Sequence, residues 1–82
     1  MAKSIRLRVL APTGDLYCGE VAKVSLPGTK APFVVLPGHA PIISSLEEGK
    51  IGYVTADGQS GAIEIEGGFV EVRDNNIIIC ID

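Results

Sequence analysis

Ala62-Ile63-Glu64-Ile65-Glu66-Gly67-Gly68-Phe69-Val70-Glu71-Val72 is the stretch that decides the fold. Isoleucine and glutamate alternate up to residue 66, and a side-chain pattern that repeats every second residue marks a strand with one buried and one wet face. The isoleucines read as inward and the glutamates as outward. Gly67-Gly68 breaks the alternation, which predicts a bulge or a close approach of another backbone, and Phe69 to Val72 resumes as strand. Asp74-Asn75-Asn76 tolerates left-handed backbone and turns the chain into a last strand, Ile77 to Ile81. Upstream, Asp57-Gly58 with Gln59-Ser60-Gly61 makes a hairpin loop between the strand Lys50 to Thr55 and the one that begins at Ala62.

The same period runs through the first half. Ile5, Leu7 and Val9 alternate with Arg6 and Arg8, predicting a strand that Thr13-Gly14-Asp15 ends as a turn. Glu20 to Leu26 reads as the second strand, with Ala22, Val24 and Leu26 on one face and Lys23 and Ser25 on the other, stopped by Pro27-Gly28. The short apolar run Phe33 to Leu36 predicts a brief strand buried on both sides. Residues 36 to 49 read as a shaped loop: Pro37 and Pro41 push Leu36 and Ala40 toward extended geometry and leave Gly38 as the permissive joint. Ser45 and Glu48 match a capping box, but Gly49 follows at once, so a turn is expected there. No window shows helical spacing, and turn signals recur about every eight to twelve residues. The chain is therefore all-β, a flattened β-sandwich or jelly roll of about ten short strands, in one domain over residues 1–82.

With 46% hydrophobic and 21% charged residues the chain is too apolar for disorder and too evenly interrupted for a membrane span. The N-terminal residues lack the apolar run of a secretory signal. A net charge of -3 with seven scattered basic residues argues against a nucleic-acid partner. Arg6 and Arg8 are the nearest approach to a basic cluster and read as the wet face of a strand. Cys18 and Cys80 fit no metal spacing and are expected as reduced thiols, with Cys80 packing as core within Ile77 to Ile81.

Catalytic chemistry has few starting points. Every arrangement of Ser or Cys with His must pass through His39, the single histidine, and Ser44 and Ser45 lie outside any nucleophile-elbow pattern. Glu64 with Glu66, and Glu47 with Glu48, form carboxylate pairs, but glutamates alternating with isoleucines are the usual solvated face. No metal site, cofactor or phosphate-binding loop is predicted.

Taken in order, Pro37-Gly38-His39-Ala40-Pro41, then Leu46-Glu47-Glu48-Gly49, then Gly67-Gly68-Phe69-Val70-Glu71-Val72 with a closing Asn76-Ile77-Ile78-Ile79 strand, the chain resembles the epsilon subunit family of the rotary F-type ATP synthase. The resemblance covers nearly the whole chain. It implies the flattened sandwich of that family's N-terminal domain, ending before the C-terminal helical pair, which restrains ATP hydrolysis and in some members binds ATP. It also implies a non-catalytic rotor subunit of the proton-transporting complex, joining the gamma subunit to the c-ring at the cytoplasmic face of a bacterial membrane without entering the bilayer. His39, Ala40, Pro41 and Ser44 would face gamma, and Thr29, Lys30, Ala31 and Pro32 would meet the c-ring. Lys30 and Pro32 depart from the acidic residues many members carry in that loop.

Two other readings compete. A free-standing sandwich that binds carbohydrate would present aromatic platforms, and the chain has no Trp and only Tyr17, Phe33, Tyr53 and Phe69. A small enzyme would need the constellation that is missing.

Overall fold

The computed structural model describes residues 4–82; Met1 to Lys3, the start of the segment read for a signal, lie outside the described residues. Eight strands follow one another, β1 (Ile5–Ala11), β2 (Gly14–Leu26), β3 (Phe33–Val35), β4 (Ile42–Leu46), β5 (Gly49–Thr55), β6 (Ser60–Ile65), β7 (Gly68–Arg73) and β8 (Asn76–Ile81). They form one sheet in the order β4-β7-β8-β1-β2-β5-β6, with β3 also paired to β2. The sheet curls over itself, and a bridge between Gly28 and Leu46 draws the end of β2 toward β4. The result measures 33 × 23 × 18 Å, a flattened body two layers thick.

Eight strands suffice where about ten short ones are expected for this architecture, because β2 serves both layers. Its 13 residues would run about 40 Å if straight, more than the molecule's 33 Å length, so the strand must bend. It does so at an irregularity between Val21 and Lys23 in its pairing with β5. The bend explains a departure from the sequence reading. Val21 is buried opposite Ile5, Ala22 is only half-buried at the irregularity, and Val24 and Leu26 then carry the inward phase. The first hairpin also turns earlier than expected, at Pro12 and Thr13, so that β2 starts at Gly14.

The core is apolar throughout: Ile5, Leu7, Val9, Val21, Val24, Leu26, Val35, Leu46, Ile51, Ile65, Val70, Val72, Ile77 and Ile79 are buried. No polar or charged residue is buried among the described residues, and close packing of this kind gives a stiff body. β1 and β8 pair in parallel at its centre, Leu7 beside Ile77 and Val9 beside Ile79.

Three further expectations are corrected. Cys80 is exposed rather than core, because Ile77 and Ile79 take the inward phase of β8 and Cys80 falls one residue out of step. β3 buries one side only: Val35 is inside while Val34 and Leu36 stand in solvent. Residues 36–49 are not a single loop, since Ile42 to Leu46 pair with β7 as an edge strand. Gly67-Gly68 resolves as a close approach. Gly68 has φ 151°, and a Cβ there would overlap the Cys80 carbonyl oxygen.

Candidate functional site

The loop before β4 is a tight, braced structure. Leu36-Pro37-Gly38-His39 is a turn closed by the His39 amide donating to the Leu36 carbonyl at 3.1 Å, with Pro37 pre-setting its own φ and Gly38 at φ 85°, as a type II turn requires. The Gly38 amide donates to Asn75 Oδ1 at 2.7 Å. Asn75 is available because Asp74 and Asn75 hold left-handed backbone, φ 52° and 60°, between β7 and β8. His39 is half-buried, and its Nδ1 lies 2.7 Å from the Ala40 carbonyl oxygen. Ala40 and Pro41 are exposed beside it. Ser44 shares the inward phase of β4 with Ile42 and Leu46, is half-buried, and donates to the Ser45 carbonyl.

The second predicted group lies at the other end of β4. The Thr29 amide donates to the Ser45 carbonyl at 3.1 Å and the Ser45 hydroxyl donates to Thr29 Oγ1 at 2.8 Å. Lys30, Ala31 and Pro32 are exposed in the connection that follows. The two groups are thus separate surfaces joined by one short edge strand.

Between them lies a surface the sequence reading did not assemble. On the outer face of β4, β7, β8 and β1 the register aligns Ser45, Phe69, Cys80 and Leu10 in one row, and Ile43, Glu71, Ile78 and Arg8 in the next. A third row holds Arg73, Asn76 and Arg6. Ile43 is 78% and Phe69 60% exposed. An outward sheet face is ordinarily polar, and a contiguous apolar patch on it marks an interaction surface. Its two signals were in the sequence: Phe69 falls out of phase with Val70 and Val72, and β8 is apolar on both faces, as in a strand covered on both sides. At the charged end, an open depression of ≈ 300 Å³ lies among Arg6, Arg8, Arg73, Glu71 and Asn76. Arg6 pairs with Glu20 at 3.5 Å and Arg8 with Asp15 at 3.9 Å, both exposed, so each contributes little to stability.

The candidate catalytic groups lie apart among the described residues. His39 makes no hydrogen bond to a serine or cysteine among the described residues. Glu64 is exposed opposite Lys50, and Glu66 is exposed beyond the end of β6. No group of three or more His, Cys, Asp or Glu among the described residues is placed to hold a metal ion. Tyr17 and Tyr53 meet at 4.5 Å between ring centroids with a 42° tilt and pack against the core, so they are not the flat platform a sugar ring needs.

Known proteins share the sequence and the fold. The family described as ATP synthase, Delta/Epsilon chain, beta-sandwich domain matches residues 4–82. A relative named ATP synthase epsilon chain, from Desulfitobacterium hafniense, is 45% identical over 82 residues, covering 100% of this chain and 61% of its own. Another of that name, from Chlorobium limicola, is 35% identical over 77 residues, covering 94% of this chain and 88% of its own. The chain thus spans 61% of the length of the first of these relatives. A chain in the cryo-EM structure of the Euglena gracilis mitochondrial ATP synthase superimposes with a TM-score of 0.92 at 22% identity, over 99% of this chain and 52% of that one. One in the central stalk and c-ring structure from Tetrahymena thermophila gives 0.76 at 18%, over 93% and 61%. On the match over residues 4–82 and the identity to both relatives, this chain belongs to the family of ATP synthase delta/epsilon chain β-sandwich domains.

Proposed function

We propose that the chain is a non-catalytic central-stalk subunit of a proton-transporting ATP synthase, joining the gamma subunit to the c-ring and so coupling ion flow to ATP synthesis. The observation that carries the reading is the outer face of β4, β7, β8 and β1, where Ile43 and Phe69 stand in solvent among the described residues. Gamma docks there and on the braced loop of His39, Ala40 and Pro41, with Ser44 contributing from the rim of the edge strand. Thr29, Lys30, Ala31 and Pro32 meet the c-ring. The single domain, 1–82, works as one rigid piece over its described residues, 4–82, and passes torque through its packed core. Two adjoining contacts of this kind bury on the order of 2,000 Å² together, which suits permanent assembly. The chain sits at the cytoplasmic face of a bacterial plasma membrane as a peripheral part of the complex.

Titration calorimetry of the chain against the gamma subunit of the same genome tests this. One-to-one binding that Phe69→Asp and His39→Glu both weaken, with the variants still folded, supports the reading. A folded chain that does not bind gamma refutes it.

A further inference from the structure

His39 sits on a loop braced by several hydrogen bonds. The turn is closed by its own amide, Gly38 is held by Asn75, and Pro41 follows the residue that takes its ring. The ring therefore presents the same atom to any partner. Which atom that is follows from the bond it already makes: Nδ1 lies 2.7 Å from the Ala40 carbonyl oxygen, and a carbonyl can only accept. Nδ1 must carry the proton. In the neutral ring that leaves Nε2 as a bare lone pair, and no residue among those described donates to it. No carboxylate lies within ion-pair distance of the ring among the described residues, so nothing opposes this tautomer by favouring a proton on Nε2.

We infer that His39 engages its partner through Nε2 as a hydrogen-bond acceptor, and that the partner surface facing it supplies an N–H or O–H donor rather than a carboxylate or a backbone carbonyl. The inference rests on the proposed docking of gamma against this loop and adds the chemistry of the contact. An acidic side chain opposite His39 would require the other tautomer, which the Ala40 bond resists, or a charged ring, which keeps that bond; a ring carrying protons on both nitrogens in the complex therefore overturns the inference.

Two measurements test it. In the free chain, nitrogen NMR of the neutral imidazole should show Nδ1 protonated and Nε2 as the pyridine-type nitrogen; on adding gamma, the Nε2 resonance should move in the direction of an accepted hydrogen bond. A ring protonated at Nε2 in the free chain, or an Nε2 signal unmoved by saturating gamma, overturns the inference. In calorimetry, His39→Gln places an amide oxygen where Nε2 was and should bind within about threefold of the wild-type chain. His39→Asn offers atoms only at the Nδ1 position and should lose about tenfold, the usual worth of one interfacial hydrogen bond. Equal binding by wild type, Gln and Asn variants overturns the donor assignment and leaves the docking proposal standing. No binding even by the wild-type chain overturns both.

Discussion

Truncating Ile43 to alanine separates docking from folding. The side chain is 78% exposed, so only about a fifth of it contributes to the folded chain alone. Removing three carbons at about 0.8 kcal/mol each forfeits about 2.4 kcal/mol if the site is wholly buried. Split by exposure, about 0.5 kcal/mol falls on folding and about 1.9 kcal/mol on docking, the latter a weakening of about 25-fold in Kd. Urea unfolding should therefore shift by about 0.5 M or less, while titration against gamma shows the larger loss. Ile43→Thr keeps the β-branched shape that an edge strand favours while it removes Cδ1 and puts a hydroxyl in place of Cγ1, so it separates strand propensity from lost apolar contact. The reasoning fails if Ile43→Ala leaves the affinity unchanged, or if stability drops by more than affinity does.

Other expectations concern the fold that positions this face. Gly68→Ala should cost about 3 kcal/mol or more, because strained backbone adds to a collision with the β8 chain at Cys80 and Ile81; Gly14→Ala, at φ 135° with open space around it, should cost about 1 kcal/mol, and equal losses in thermal melting would refute the collision. Ile79→Ala, at a fully buried central position, should remove about 2–5 kcal/mol, enough to leave a chain of this size barely folded in a denaturant titration. Burial first, then the nearby Tyr53, Asp57 and Cys18, push the Tyr17 hydroxyl above its ordinary range. The folded chain therefore holds that proton to higher pH than the unfolded one. Stability from this group is complete below about pH 10 and declines as pH rises through the folded value; Tyr17→Phe should flatten that decline in pH-dependent unfolding.

Most of the architecture was legible in the strands whose two faces differ. Ile5, Leu7 and Val9 against Arg6 and Arg8 set the phase of β1 without reference to any neighbour, and Asp57-Gly58 and Asp74-Asn75 marked hairpins by turn chemistry alone. Phase was ambiguous where both faces are apolar. Ile77 to Ile81 is one such run, and Phe33 to Leu36 is another, so Cys80 and Val34 were read as inside when they lie outside. Ile42 to Leu46 is strand because β7 pairs with it, a partner supplied from far along the chain, whereas its local signals are those of a loop. The same holds at the site. The prolines around His39 announced a shaped turn, but the hydrogen bond from Gly38 to Asn75, and the alignment of Ile43 with Glu71 and Ile78, arise only once the sheet has formed.

The parallel pairing of β1 with β8 bears on how the molecule comes into being. β1 finds this central neighbour only after the six strands between them have been synthesised, so the hairpins between them can form early but the sheet cannot be completed. Contacts of such long sequence separation slow folding toward the millisecond-to-second range. Until β8 arrives, Leu7 and Val9 have an open edge beside them, and the newborn chain presents there the kind of unpaired strand that invites aggregation.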